Sequence, residues 1–285
     1  MRMNQTSIDL KYLALGQLSP LLFIGKQDPF ENLKCFCCFD GHGRSGGTLV
    51  GSLLNAHPNV VISNELHAFR LIRKGLNQKQ LFRLIYLSSE RQVARGSKGG
   101  GGYTYAVPGQ AQGSHDNLIV IGARKAGATA REIFEFPDVL KKVDKKISLN
   151  KKFIHVSRHP LDCITTTFKK TPRGKLKSSR EHLQREIGLY FRRCESVERI
   201  VNEFESSSLL IVHLEELIES PTIELRSICE FLGLDCSNEY LEAAATIIMG
   251  KPNVSRRTIE WDQDLIDEVR NNMSRFPWLE CYLER

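Results

Sequence analysis

The stretch Gly41-His42-Gly43-Arg44-Ser45-Gly46-Gly47-Thr48 places four glycines in eight residues, between an apolar run and a helix-forming run. Leu33 to Phe39 (LKCFCCF) has the short, aromatic-rich character of a buried strand, and Thr48 to Ala56 (TLVGSLLNA) reads as a helix that starts inside the loop. A strand, a glycine turn and a helix in that order point several backbone N–H groups into one concavity, and the helix N-terminus adds partial positive charge. Such a pocket holds an anion. The frame is that of a phosphate-binding loop, G-x-x-x-x-G-K-[ST], with Gly47 in place of the lysine. Loops that serve triphosphates use that lysine to reach the β- and γ-phosphates, so this one is poorly equipped for ATP or GTP, and Arg44 is the cation left to it.

Further along, proline in His57-Pro58 ends the helix and the β-branched run to Asn64 predicts a second strand, which sets Glu65 at a strand end. Residues 66 to 90 read as helical. Gly96 to Ser114, with Gly99 to Gly102 consecutive, reads as a long loop and a candidate lid. Leu118 to Gly122 and Phe153 to Ser157 are two more short apolar strands, ending at Arg124-Lys125 and at Arg158-His159-Pro160. The apolar spacing of residues 180 to 204 marks an amphipathic helix, and Leu209 to Leu214 a further strand before a helix that stops at Gly233. Strands alternating with helices predict an α/β fold in three layers, a central, mostly parallel sheet flanked by helices. Ligands of such sheets bind beyond the carboxyl ends of the strands, where Arg44, Glu65, Lys125 and Arg158 then converge.

The chain of 285 residues shows no internal repeat or Pro/Ser-rich linker, which predicts an N-terminal extension over 1–30 and one elaborated domain over 31–285, with 66–117 as a variable acceptor and lid region. A formal charge of +7 suits an anionic ligand, nucleic acid or a membrane surface. The basic blocks at Lys141 to Lys152 and Lys169 to Arg180 lack interleaved aromatics and read as solvated loops, with no nucleic-acid partner expected. The eight cysteines are scattered, and three, Cys35, Cys37 and Cys38, share one apolar strand, which reads as reduced thiols used as small apolar residues and favours the cytoplasm. The apolar stretch from Tyr12 to Gly25 contains Gln17, Ser19 and Pro20 and falls short of the roughly 20 residues that span a bilayer.

With these residues in place, the chain resembles sulfotransferases that use 3′-phosphoadenosine 5′-phosphosulfate (PAPS), closest to the tyrosylprotein-type and bacterial branch. GHGRSGGTLVGSLLNAHPNV resembles that family's R-S-G-T-T loop followed by L-x-x-H-P, and Glu65, 21 residues after Arg44, resembles the placement of its catalytic glutamate. FIHVSRHPLDCITTTF (153–168) resembles the segment that binds the 3′-phosphate, and IVHLEELIESPTIELRSICEFLGL (211–234) is similar to the family's later strand and F-L-G-L signature. The resemblance spans roughly residues 36 to 282. Three departures stand out: Gly47 replaces the first threonine of R-S-G-T-T, His159 replaces an acid, and Thr166 stands where serine is common.

The resemblance implies in-line sulfuryl transfer from PAPS to a hydroxyl or amine of a small-molecule, carbohydrate or peptide acceptor, with no metal required. It assigns Ser45, Gly46, Gly47 and Thr48 to the 5′-phosphate and Arg44 to the leaving oxygen or sulfonate. Arg158 and Thr166 are assigned to the 3′-phosphate, with Ser255 and Arg256 as further binding candidates. Glu65 is the candidate base, with His67 as runner-up, and Lys125, or Arg124 in its place, supplies charge stabilisation. Glu215 reads as a capping residue. Three rivals remain: a P-loop kinase for a small metabolite, a non-catalytic nucleotide-binding relative, and a nucleic-acid binder suggested by charge alone.

Overall fold

The computed structural model describes residues 5–24, 28–96, 104–113, 115, 117–172, 174, 178–248 and 250–284. Five strands form one sheet: β1 (Cys35–Gly41), β2 (Val60–Asn64), β3 (Val120–Arg124), β4 (Asn150–Ser157) and β5 (Leu209–His213). Their order is β2-β3-β1-β4-β5 and every pairing is parallel. The expected parallel α/β sheet is therefore present, with β1 and its loop at the centre.

Around the sheet run α1 (Gln5–Leu18), α2 (Gly47–Asn55), α3 (Ala68–Arg73), α4 (Gln78–Ala94), α5 (Ala126–Glu135), α6 (Val139–Lys146), α7 (Pro160–Lys170), α8 (Ser179–Phe204), α9 (Leu214–Glu219), α10 (Pro221–Leu232), α11 (Asn238–Ala245) and α12 (Gln263–Met273). The period of two along each strand sorts side chains between two cores. Cys35, Cys37, Phe39, Val60, Ile62, Val120, Ile154 and Val156 face the core beneath α2 and α9–α11. Phe36, Cys38, Val61, Ile121 and Phe153 face the other, which is closed by α3, α4 and α6. Both faces being covered explains why the strands read as continuous apolar runs. A third cluster joins α7, α8 and α12 through Leu183, Ile187, Phe191, Leu265, Val269 and Phe276.

Two expectations change. The basic block Lys141 to Lys152 is not a loop: it makes up most of α6 and the start of β4, with Lys146 Nζ donating to the carbonyls of Ile72 and Leu76. Nor are all the cysteines reduced. Cys229, near the end of α10, is bonded to Cys236, just before α11, across the turn at Gly233. The three thiols of β1 are free and buried, as the sequence predicts. Seven residues separated the bonded pair in sequence, but the turn that folds one onto the other is tertiary information.

Residues 5–24, at the chain's start, form α1 and a 3₁₀ turn, and α1 packs against α4 and α3. The glycines expected to form a lid, Gly99 to Gly102, lie outside the described residues. Among the described residues no helix is long and apolar enough to cross a membrane.

Candidate active site

The loop after β1 is built on two glycines with different jobs. Gly46 has φ +100° and sits against Leu214, so near that a Cβ would lie 2.6 Å from Leu214 Cδ1. Gly47 opens α2, and a Cβ there would meet nothing nearer than 3.8 Å. The first intrahelical bond of α2 runs from Val50 N–H to Gly46 O, 3.2 Å. The N–H groups of Gly47, Thr48 and Leu49 therefore have no acceptor within their helix, and the dipole of α2 favours an anion in front of them. Ser45 is buried and its hydroxyl donates to His42 O at 3.0 Å, so it braces the loop from within.

Arg44 is exposed at φ +74°, a backbone state that is costly for a residue with a Cβ. Glu65 is held the same way at φ +67° just past β2. Both strained residues stand at the carboxyl edge of the sheet, where neighbours hold the backbone: Arg158 Nη1 donates to Arg44 O and the Glu65 N–H to Arg124 O.

The Glu65 carboxylate is clamped by two cations from the end of β3. Arg124 Nη2 donates to its Oε1 at 2.7 Å and Lys125 Nζ lies 3.0 Å from its Oε2. Burial alone would raise its pKa, but Arg124 and Lys125 outweigh this and hold it below the ordinary carboxylate range. It is thus ionised at neutral pH, while two-thirds of the side chain stays open (66% exposed). Arg124 also donates from Nε to Asn64 Oδ1 at 2.7 Å, and its aliphatic stem lies over Gly51 of α2. His67 is pushed down to about 4, first by burial and then by Lys125 and Arg70, so it is neutral at pH 7.

A second polar cluster forms at the end of β4. Arg158 is buried, and its Nη1 donates to Arg44 O at 3.0 Å, which ties this residue to the central loop. Its Nη2 donates to Asn253 O at 2.5 Å and to Ser255 Oγ at 3.2 Å, while Nε is buried without a partner. Thr166 Oγ1 lies 3.0 Å from Ser255 Oγ. Arg158 and Thr166, from the single segment running from β4 into α7, therefore meet Ser255, which comes from a distant one. Glu215 braces the same turn: Oε1 accepts from His159 N–H at 3.0 Å and Oε2 from Tyr282 O–H at 2.8 Å, the capping role read from the sequence.

One cleft of about 1090 Å³ joins these parts, lined by Arg44, Gly46 to Thr48, Glu65, Arg124, Lys125, Arg158 and Thr166 among others. That volume is at the upper end of the usual range for a ligand site, roughly 300–1,000 Å³. Among the described residues no group of three or more His, Cys, Asp or Glu is placed to hold a metal ion.

The fold is similar to that of the sulfotransferase domain from the curacin biosynthetic pathway, at 16% identity and TM-score 0.52, over 85% of this chain and 96% of that one. A mouse sulfotransferase complexed with PAP (14% identity, TM-score 0.51) covers 96% of this chain and 92% of its own. A sulfotransferase from Mycobacterium avium (9%, TM-score 0.51) covers 95% and 85%. No curated protein sequence matches the chain. Residues 135–238 match the family model described as Sulfotransferase family. That segment is similar to the sulfotransferase family, and the fold as a whole is similar to theirs.

The family match takes in β4, Arg158 and Thr166 but begins after the glycine loop, Glu65 and Lys125. Those earlier residues are joined to the matched segment through the bond from Arg158 to Arg44. Arg256, expected at the nucleotide, is engaged elsewhere: its backbone N–H and Nη1 both bond the Asp162 carboxylate, at 2.6 and 2.5 Å, which anchors the C-terminal segment onto α7. The cation this segment brings to the cleft is Lys251, four residues before Ser255, with Asn253 beside it. Sequence reasoning also missed Lys11, Tyr12 and Leu15 of α1 and Arg91 and Arg95 at the end of α4, all of which line the cleft. A helical face of spacing three and four on α4 was the available signal for the last two.

Proposed function

We propose that this protein is a sulfotransferase that uses PAPS as donor and transfers its sulfuryl group in line to a hydroxyl or amine acceptor, with Glu65 as base. The observation that carries the donor assignment is the Arg158 cluster. It sets a buried guanidinium, with an unpartnered Nε, and two hydroxyls beside a glycine loop that already offers one anion site. Two neighbouring anion sites suit a nucleotide with separate 5′ and 3′ phosphate groups better than a linear triphosphate. The missing loop lysine at Gly47 points the same way.

The donor brings an activated sulfuryl group on a phosphate leaving group; the chain supplies position and charge. The N–H groups of Gly47, Thr48 and Leu49, with the Thr48 hydroxyl, fit the 5′ end. Arg158, Thr166 and Ser255 fit the 3′-phosphate, the guanidinium offering planar charge-assisted hydrogen bonding. Arg44 projects from the loop over the reacting group and stabilises the charge that grows there. Glu65, ionised and open to the cleft, accepts the proton of the attacking hydroxyl, and Lys125 and Arg124 keep it aimed from the end of β3.

A thermal-shift comparison tests the donor. Adenosine 3′,5′-bisphosphate (PAP) at one hundred times its Kd should stabilise the protein by about 2.7 kcal/mol, with little effect from ATP and magnesium. Stabilisation by ATP and magnesium alone would return the chain to the kinase reading.

A further inference from the structure

The acceptor half of the cleft has a pattern of its own. The sheet order separates the two halves: the glycine loop, Arg158 and the segment around Asn253 gather over β1, β4 and β5, whereas α4 lies on β2 at the opposite edge. The cleft-lining residues of α4 and its C-cap are Leu84, Leu87, Ser88, Arg91, Gln92 and, at the cap, Arg95, whose steps of three and four put them on a single face about 16 Å long. That face changes character along its length, from leucine to arginine. Helix α1 repeats the mixture opposite it with Leu15 and Lys11. Among the described residues Lys11, Arg91 and Arg95 form no salt bridge, and Glu65 is the one carboxylate lining the cleft.

The basic end lies nearest the chemistry. Gln92, beside Arg91, accepts from the Asn64 N–H at 3.3 Å, one residue before Glu65. An acceptor hydroxyl presented to Glu65 therefore has Arg91 and Arg95 at its side, and Leu84, Leu87 and Leu15 further along the groove. From this we propose that the acceptor is an amphipathic anion, an apolar body whose acidic group is close to the hydroxyl that receives the sulfuryl group. The proposal rests on the sulfotransferase reading above. Three cations that form no salt bridge among the described residues, beyond those that serve the donor, would have no charge to orient on a neutral alcohol. A wholly polar acidic sugar would leave the leucine half of the groove unfilled.

Acceptor binding to the protein saturated with PAP, measured by titration calorimetry, tests this without turnover. The probes are 3-hydroxydodecanoate, its methyl ester and glucuronate, with free PAP titrated separately. The hydroxy acid should bind about tenfold or more tighter than the ester, as expected for loss of one charge-assisted contact. Arg91→Gln combined with Arg95→Gln should remove that preference while PAP affinity and the circular dichroism spectrum stay as in the native protein. Equal binding of acid and ester, no binding of the acid, or glucuronate binding as tightly as the acid would each overturn the proposal. So would loss of PAP affinity in the double variant, which would assign these arginines to the donor. Failure of the native protein to bind PAP would instead overturn the sulfotransferase reading beneath it.

Discussion

Gly46 and Gly47 are adjacent in sequence and opposite in what they tolerate, which makes the pair a sharp test of the loop. Alanine at Gly46 must adopt φ near +100° and place a Cβ 2.6 Å from Leu214 Cδ1 and 3.3 Å from its Cγ. The backbone term costs about 1–2 kcal/mol. Moving Leu214, which is 9% exposed and packed in the core beneath α2, adds an overpacking cost of about 1 kcal/mol or more, limited because the nearest atom ends a rotatable side chain. Together these give roughly 2–4 kcal/mol of destabilisation. Alanine at Gly47 meets only ordinary contacts at 3.8 Å and removes glycine entropy from a helix, a gain of up to about 1 kcal/mol. Urea unfolding should therefore separate Gly46→Ala from Gly47→Ala by about 3 kcal/mol at unchanged m-value. PAP affinity should fall for the first and hold for the second. Gly47→Thr adds a hydroxyl facing the cleft and should tighten PAP binding about tenfold, the scale of one hydrogen bond to a charged group. Equal stability and PAP affinity for Gly46→Ala and Gly47→Ala would refute this account of the loop, and loss of PAP binding in Gly47→Thr would refute the claim that position 47 has room.

Glu65→Gln should lower kcat by a factor of about 10²–10⁴ while PAP binds as before; full activity would move the base to His67. Because Arg124 and Lys125 hold the Glu65 pKa down, the carboxylate stays ionised as pH falls through the ordinary carboxylate range, so the acid limb of kcat/KM should lie below that range in the native enzyme and move up in Lys125→Met. Arg158→Lys cannot reach Arg44 O, Asn253 O and Ser255 Oγ together, and should weaken PAP by at least about tenfold with a smaller loss for ATP. Reducing the Cys229–Cys236 bond, or replacing both by serine, releases a short loop and should cost about 2–3 kcal/mol by chain entropy, read as a lowered urea midpoint with PAP affinity intact.

Much of the molecule was legible from local pattern. The five strands announce themselves because a sheet covered on both faces demands unbroken apolar runs, and the run 33–39 is β1 within two residues. The glycine loop is equally local, since a strand, tight turn and helix are specified by neighbours in sequence. Helix α8 follows from its apolar spacing, and Gly233 does close α10, in the left-handed conformation that glycine allows. Arg158 and Thr166 were visible because both sit on one strand-to-helix segment.

The residues that local pattern missed share one property: their partners are far away in sequence. Arg256 and Ser255 look alike as loop residues, yet Asp162 on α7 captures the first and Arg158 receives the second. Arg124 looks like a broken motif beside Lys125 until β3 is laid next to β2 and its guanidinium reaches Glu65. Arg91, Arg95 and Lys11 were not singled out in the sequence, because only the packing of α1 and α4 onto one edge of the sheet turns the faces that carry them towards a cleft.

The sequence alone thus determined the parallel sheet, the strand–glycine turn–helix with its missing lysine, and the order of the motifs that resemble the family's, since each depends on residues within a few turns of one another. Tertiary structure decided how Glu65 is held, which C-terminal residue meets Arg158 and which faces of α1 and α4 line the cleft. Those are contacts between segments, and no period or spacing along one segment encodes the direction from which another arrives.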